Sequence, residues 1–114
     1  MEKKDNKFEV IFAIVNAGFA QKAMEAARDE GARGGTIISA RGTGTKEMEK
    51  KYGIIITPNK ELLMILVKDD IKDNVLTAIY RSVGIGTDGQ GIAFSLPVDD
   101  VVGLRFEVTE EEQK

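Results

Sequence analysis

Residues 8–31 read FEVIFAIVNAGFAQKAMEAARDEG and predict a buried strand followed directly by a helix. Residues 8–15 are rich in β-branched and aromatic side chains, and the run is too short for a buried helix. After a break at residues 16–18, apolar residues recur at helical spacing over residues 19–27, opposite a polar face. Gly31 then ends the pattern, as a helix-terminating glycine does. The stretch therefore predicts one β-α unit.

A second strand and a second helix are predicted further along the chain. Residues 61–67 (ELLMILV) form another apolar run, and apolar residues between 71 and 83 recur at helical spacing. Asp69 and Asp70 stand just before this helix, where a carboxylate caps the first turn and complements the helix dipole. These two residues are better explained as helix caps than as metal ligands.

Shorter strands complete the predicted sheet. We expect them at residues 36–40 (TIISA) and 92–96 (IAFSL), with an edge strand at 101–108 and a disordered tail at 109–114. The order β-α-β-loop-β-α-β is typical of the ferredoxin-like βαββαβ fold, an α+β class with two helices on one face of an antiparallel sheet. We expect a single domain over residues 1–114. Its uncovered sheet face favours a symmetric oligomer.

Four glycines lie between the second helix and the last strand, in the sequence GIGTDGQG at residues 84–91. Glycine has no Cβ, so main-chain N–H groups can approach an anion closely. Gly84 or Gly86 alone would suffice for a helix cap in a simple connection. The further pair, Gly89 and Gly91, favours a backbone nest that binds a ligand.

Composition excludes several classes of function. The 114 residues contain no cysteine and no histidine, which removes thiolate metal sites, zinc catalysis and hydrolytic triads. We therefore expect no enzyme and no metal-ligating residues, although a magnesium ion held by carboxylates through a bound phosphate stays open. The formal net charge of −3 argues against a nucleic-acid partner. No apolar run reaches the length of a membrane span and no signal peptide is expected, so the predicted location is cytoplasmic.

Several segments, in this order, resemble the PII family of signal-transduction proteins. Residues 31–36 (GARGGT) resemble the connection from its first helix to its second strand, and residues 42–44 (GTG) resemble the G-F-G that opens its long T-loop. Residues 89–98 (GQGIAFSLPV) resemble its G-D-G-K-I-F-V-x-P-V. Residues 101–105 resemble the following stretch with two basic residues. The resemblance covers residues 8–105.

The resemblance implies a homotrimeric sensor with nucleotide sites in the clefts between subunits. Residues 42–60 would be the T-loop-like segment, which acts on a membrane transporter or a metabolic enzyme, and residues 84–91 would be the B-loop-like segment. The implied ligand-binding residues are Thr36, Gly42, Gly44, Gly86, Gly89, Gln90, Gly91 and Arg105. The charged residues of the T-loop-like segment expected to contact a partner are Lys46, Glu47, Glu49 and Lys50.

Some of these positions have simpler explanations that stay open. Gly42 and Gly44 are equally consistent with a flexible hinge, and Thr36 with an ordinary strand former. Arg105 is a lone arginine on a predicted edge strand, where such side chains are usually solvated. Lys46 and its charged neighbours can simply keep a loop soluble.

The chain departs from the family pattern at its phosphate ligands. Ile92 occupies the position of the lysine in G-D-G-K, and Gly103 occupies that of the first trailing arginine, whereas Arg105 keeps the second. A charge-assisted hydrogen bond contributes roughly 1.5–3 kcal/mol, so losing two cations weakens ATP relative to less charged ligands. We therefore expect ADP, AMP or a cyclic dinucleotide to compete with ATP as effector, and no cofactor to be required.

A second class of function remains open. A structural or interaction trimer that has lost ligand binding, similar to cation-tolerance proteins, would share the same ferredoxin-like arrangement.

Overall fold

The structure is a computed structural model that describes residues 7–43, 50–51, 53 and 58–103. These residues form one antiparallel sheet with strand order β2-β3-β1-β4 and two helices. The α+β, ferredoxin-like order of elements predicted from the sequence is confirmed. The elements in chain order are β1 (Phe8–Asn16), α1 (Ala20–Asp29), β2 (Gly35–Arg41), β3 (Asn59–Lys68), α2 (Lys72–Val83) and β4 (Ile92–Val98).

The two helices cover one face of the sheet and bury the core against it. Strand side chains alternate between faces, so every second residue of β1 and β3 points toward the helices. The side chains of β1 and β3 that point toward the helices are fully buried over most of this covered face. The sheet-facing side chains of α1 and most of those of α2 are buried as well. The core residues that define it are Ile11, Ala13, Val15, Ala20, Ala23, Met24, Ala27, Ala32, Leu63, Ile65, Val67, Val75, Ile79 and Val83.

The opposite face, called here the open face, is also apolar. Phe12 pairs across the sheet with Met64 on β3 and with Phe94 on β4, and the Phe12 and Phe94 ring centroids lie 5.5 Å apart. Phe94 nevertheless keeps 43% of its surface exposed. No described residue packs over this face. Its other apolar members by register are Phe8, Val10, Ile14, Ile38, Ala40, Leu62, Leu66, Ile92, Leu96 and Val98.

Helix α1 ends in the glycine motif that the sequence predicts. The Gly31 N–H donates to the Arg28 carbonyl at 3.0 Å, and the Ala32 N–H donates to the Ala27 carbonyl at 3.1 Å. This paired arrangement is a Schellman cap. Gly31 adopts φ +107°, a conformation that L side chains rarely adopt, so glycine is the residue that closes the helix without strain.

The start of α1 is capped from a distant strand. Phe19 at the N-cap position supplies no side-chain hydrogen bond. Instead the Ala20 N–H donates to Oε1 of Glu61 on β3 at 3.0 Å, across 41 positions of sequence. A carboxylate at a helix N-terminus satisfies an otherwise unpaired N–H and complements the helix dipole.

The cap predicted for α2 is wrong. The N-cap is Ile71, and no side chain caps this helix. Asp69 and Asp70 instead lie in the turn that leaves β3, where the Asp69 carbonyl accepts from the Lys72 N–H at 3.4 Å. The acidic residue of the first turn is Asp73, whose hydrogen bond and charge raise the pKa of Lys72.

The predicted edge strand at 101–108 is not formed where the structure describes it. Residues 101–103 follow β4 without strand structure, and residues 104–108 lie outside the described residues, as does the predicted tail at 109–114. Each of the four observed strands is longer than predicted. β3, for example, begins at Asn59 rather than Glu61, because its main chain already pairs with β2 there.

Candidate functional site

Two loops of interest leave the same end of the sheet, called here the loop end. At this end Arg41 pairs with Asn59, and Asn16 pairs with Lys60. The T-loop-like segment joins β2 to β3, and the segment 84–91, called here the glycine loop, leads into β4. β2 and β4 are the opposite edges of the sheet, three strand spacings or about 14 Å apart. One subunit therefore presents the two loops at separate edges.

The glycine loop is a compact turn tied to itself by hydrogen bonds. Gly84 is the C-cap of α2. Thr87 donates from its N–H and its Oγ1 to the Gly84 carbonyl at 3.0 and 2.7 Å. The same Oγ1 accepts from the Gly89 N–H at 3.2 Å. A single hydroxyl thus links both limbs of the loop, and nothing in the sequence pattern had singled Thr87 out.

Two of the loop glycines have a packing reason of their own. A Cβ on Gly89 would meet the Val83 Cβ and carbonyl oxygen at 2.8 Å. A Cβ on Gly91 would meet Val15 Cγ1 and the Val83 oxygen at 2.7 Å. Both residues lie where the loop presses on the end of α2 and on β1. The number of glycines, which in the sequence favours a ligand nest, is therefore also explained by close packing.

The hydrogen-bond inventory decides which amides remain for a ligand. The Gln90 N–H donates to the Thr87 carbonyl at 3.1 Å, and the Gly91 N–H to the Val83 carbonyl at 2.7 Å. Within the described part of the chain, the N–H groups of Gly86 and Asp88 donate no main-chain hydrogen bond, whereas Ile85 takes part in a β-bridge with Thr87. Gly86 has φ +99° and open space around its Cα. The available amides thus lie near the tip of the loop rather than at Gly89–Gly91.

Gln90 has a conformation that favours glycine. Its φ is +48°, the one non-glycine residue of the described chain with a positive φ. Asparagine and glycine adopt this region more easily than glutamine does. Strained residues concentrate at functional sites, so the conformation is compatible with the ligand role expected for Gln90.

Thr36 and Gly42 belong to the other edge. Thr36 is exposed on β2 and shares the open face through its pairing with Met64. Gly42 follows β2, and its N–H donates to the Pro58 carbonyl at 2.6 Å, closing the base of the T-loop-like segment. A Cβ there would meet Lys60 Cε at 3.0 Å. In one subunit, neither residue lies near the glycine loop.

A pair of polar side chains connects the two regions, and sequence reasoning missed it. Lys60 Nζ donates to Asn16 Oδ1 at 2.7 Å, and Asn16 Nδ2 donates to the Asp88 carbonyl at 3.0 Å. The Asn16 N–H also donates to the Gly89 carbonyl at 2.9 Å. The only signal in the sequence was position, since Asn16 directly follows one predicted strand and Lys60 directly precedes another.

The remaining predicted site residues are distributed as follows. Gly44, Lys46, Glu47, Glu49 and Arg105 lie outside the described residues, and Lys50 is exposed. Ile92, at the position of the family lysine, begins β4 on the open face with 54% of its surface exposed. Of the described cations, Lys60 and Arg41 lie on strands at the loop end, and Arg81 lies in the last turn of α2 before the glycine loop.

The described residues contain no group of three or more acidic side chains placed to hold a metal ion. None of the helices found in these residues is long and apolar enough to cross a membrane.

Known proteins are similar to this chain in both sequence and fold. The family model described as Nitrogen regulatory protein P-II matches residues 8–108. The Nitrogen regulatory protein P-II homolog of Arabidopsis thaliana is 32% identical over 107 residues, a match that covers 89% of this chain and 55% of that protein. The nifHD1 region GlnB-like protein 1 of Methanosarcina barkeri is 29% identical over 103 residues, covering 85% of this chain and 93% of that protein.

Solved structures agree. Arabidopsis thaliana PII bound to citrate superposes with a TM-score of 0.65 at 30% identity, covering 94% of this chain and 90% of that one. The B. subtilis GlnK–ATP complex gives a TM-score of 0.62 at 17% identity, covering 81% of this chain and 82% of that one, and shows the shared fold.

Proposed function

This chain belongs to the nitrogen regulatory protein P-II family, and on that premise we propose that it is a homotrimeric sensor of a small anionic effector. The effector is an adenine nucleotide bound between subunits, and the T-loop-like segment carries the signal to a transporter or an enzyme. P-II proteins are regulatory signalling proteins rather than enzymes, and they are typically trimers that bind small-molecule effectors.

The observation that carries this proposal is the division of the expected site between opposite sheet edges. Thr36 and Gly42 lie at the β2 edge, whereas Gly86 and Gln90 lie beside the β4 edge. A separation of about 14 Å in one subunit is too wide for one nucleotide phosphate to contact both. A neighbouring subunit that placed its β2 edge beside β4 would close the site, because both sets lie at the loop end.

The open face supplies the reason for subunits to associate. Ile92, Leu96 and Phe94 keep 43–54% of their surfaces exposed on one face. Burying apolar surface yields roughly 25 cal/mol per Å², and a contiguous exposed apolar patch marks an interaction surface. Three copies with their open faces turned inward would bury these residues and bring different edges together.

The chemistry of the site favours an effector with few negative charges. The N–H groups of Gly86 and Asp88 can donate hydrogen bonds to one anionic group, and Lys60 and Arg41 lie at the same end of the sheet. Ile92 contributes no cation where the family has lysine. ADP, AMP and a cyclic dinucleotide therefore suit the site as well as ATP does. The Arabidopsis relative was crystallised with citrate, so carboxylate effectors belong in the same screen.

Calorimetry of the purified chain tests this proposal, with ATP, ADP, AMP, cyclic di-AMP and citrate as titrants. We expect at least one of the less charged nucleotides to bind within about tenfold of ATP, since the loss of two cations weakens the binding of ATP most. Sedimentation velocity on the same sample should give the mass of a trimer. ATP binding far more tightly than every other titrant, or a monomer that binds nothing, would contradict the proposal.

A structural trimer without a ligand is the second candidate, and one observation favours it. Gly89 and Gly91 are required by packing against Val83 and Val15, so the glycine loop does not need a ligand to explain its sequence. Thermal unfolding separates the two candidates. A ligand at 100 times its dissociation constant stabilises a protein by about 2.7 kcal/mol. A trimer whose melting temperature did not change with any titrant would support the structural role.

A further inference from the structure

We propose that Asn16 is a positioning residue that fixes the glycine loop, and that it does so only while Lys60 holds its side-chain amide in one orientation. The inference concerns three neighbouring groups at the loop end of one subunit. Its geometry stands on the described residues alone, and only its consequence for effectors rests on the proposed function.

Asn16 makes two hydrogen bonds to the far limb of the loop. Its N–H donates to the Gly89 carbonyl at 2.9 Å, and Nδ2 donates to the Asp88 carbonyl at 3.0 Å. Among the described residues, these are the hydrogen bonds that join β1 to the glycine loop. The loop tip, where the unpaired amides of Gly86 and Asp88 lie, is therefore anchored to the sheet through one side chain and one main-chain group.

Lys60, on the side of Asn16 away from the glycine loop, sets the orientation of the Asn16 amide. Lys60 carries an ammonium, which only donates, and its Nζ lies 2.7 Å from Asn16 Oδ1. The Asp88 carbonyl only accepts. An amide placed between a donor and an acceptor has one favourable orientation, with oxygen toward Lys60 and nitrogen toward Asp88. Aspartate would face the Asp88 carbonyl with a second acceptor and lose that bond.

Lys60 in turn is placed by the base of the T-loop-like segment. Asn16 and Lys60 are directly paired across β1 and β3. The Lys60 stem lies against Gly42, where an added Cβ would meet Cε at 3.0 Å. Contacts therefore run without a gap from Gly42 through Lys60 and Asn16 to Asp88. This series of contacts crosses the sheet from the β2 side to the β4 side.

The consequence for effectors follows from the proposed trimer. There Lys60 and the glycine loop of the same subunit would line one cleft. An anion that drew Lys60 away from Asn16 would release the Asn16 amide and loosen the glycine loop. Asn16 in this way couples the charge of a bound effector to the position of the loop.

Amide hydrogen exchange, followed by NMR on the full chain without any effector, tests the inference. The readouts are the amides of Thr87, Gly89 and Gln90, which are hydrogen-bonded within the loop, and the amide of Gly91, which donates to the Val83 carbonyl at the end of α2. The variants are Asn16→Ala, Asn16→Asp, Lys60→Met and the double variant Asn16→Ala with Lys60→Met. Lys60→Met keeps the stem against Gly42 and removes only the donor. Asn74→Asp and Lys22→Met, at exposed positions of α2 and α1, repeat the same chemical changes elsewhere.

We expect exchange at these amides to rise about tenfold in Asn16→Ala and Asn16→Asp, the size expected for a lost hydrogen bond to the loop. Lys60→Met should raise it about fivefold, although Lys60 has no hydrogen bond to the loop. In the Asn16→Ala background, Lys60→Met should add nothing, because its effect passes through the amide. The two control variants should leave the loop unchanged.

Two results would overturn the inference: unchanged loop exchange in Lys60→Met, or the same increase with and without Asn16. If Asn16→Ala does not fold, the cycle is completed with Asn16→Asp, which keeps the acceptor for Lys60. The measurement uses no nucleotide, so a failure of effector binding leaves its outcome intact. Conversely, if effectors bind but Lys60→Met leaves the amide exchange of the loop unchanged, this inference is wrong and the proposed function is unaffected.

Discussion

The two faces of the sheet carry nearly the same apolar side chains but have different environments. Leu63 on the covered face is fully buried under the helices, whereas its chain neighbour Leu62 lies on the open face and is only partly buried. Both faces are rich in Ile, Leu, Val and Phe, so side-chain type alone does not tell core from surface. The difference shows that one subunit has a complete core on one side and an unfinished interface on the other.

The sharpest test of this difference uses the two adjacent leucines. Leu63→Ala should destabilise the chain by about 3 kcal/mol, because a fully buried leucine leaves a cavity in the core. Leu62→Ala, the matched control, should cost about 1 kcal/mol in a dilute sample and more at high concentration, where copies cover the open face. Urea unfolding at two protein concentrations measures both. Equal, concentration-independent costs would erase the distinction between the faces.

Gly91→Ala tests whether the packed core of the covered face reaches the glycine loop. Its Cβ would lie 2.7 Å from Val15 Cγ1 and from the Val83 oxygen, both belonging to core residues. Overpacking of this kind costs typically 1–3 kcal/mol, and we expect about 2. Gly34→Ala is the control, because nothing lies within 4 Å of its added Cβ. A thermal melt in which both variants behave alike would remove the packing explanation for Gly91.

Phe94→Lys sharpens the comparison from the open side. A lysine in place of this half-exposed ring introduces a charge into the surface that copies of the chain would bury. We expect the dissociation constant of the oligomer to rise at least tenfold, while loss of the Phe12 contact lowers the unfolding free energy of the dilute monomer by only about 1 kcal/mol. Sedimentation velocity gives the first quantity and urea unfolding the second. Thr77→Lys, on the exposed surface of α2, should leave the oligomer intact.

The smallest effect is expected from Ile92→Lys, which changes the open face next to the glycine loop. A lysine there restores the cation of the family pattern and should strengthen ATP binding about five- to tenfold, with less effect on AMP. Ile85→Lys adds the same charge to another exposed residue of the loop and serves as the control. Calorimetry that showed no ATP preference for Ile92→Lys over Ile85→Lys would remove Ile92 from the phosphate site.

Much of the fold was predictable because its strongest signals are local. The long apolar runs of β1 and β3 and the helical spacing of α1 appear where they were expected, and Gly31 ends α1 with the predicted cap. The α2 cap was wrong because Asp69 and Asp70 match the composition of a capping site without its geometry. Asp69 and Asp70 are used in the turn that leaves β3, so Ile71 occupies the N-cap position.

The candidate site was less predictable because its geometry depends on distant residues. The spacing of Gly89 and Gly91 suggests a nest, yet only the packed structure shows that their N–H groups are already used within the subunit. Lys60 and Asn16 carry no motif, and they meet because β1 and β3 pair in one register. The opposite edge positions of Thr36 and Gly86 also follow from strand order, which no local pattern specifies.

The Glu61 carboxylate that caps α1 has a consequence for how the chain folds. The first turn of this helix lacks a local cap, and its side-chain acceptor arrives only when β3 has paired with β1. Contacts between residues far apart in sequence close late, since a long loop must first be ordered. A peptide of residues 8–31 alone should therefore fray at Ala20, and the amide of Ala20 should become protected only as the sheet assembles. The rate at which the Ala20 amide becomes protected would therefore report the rate at which β1 and β3 pair.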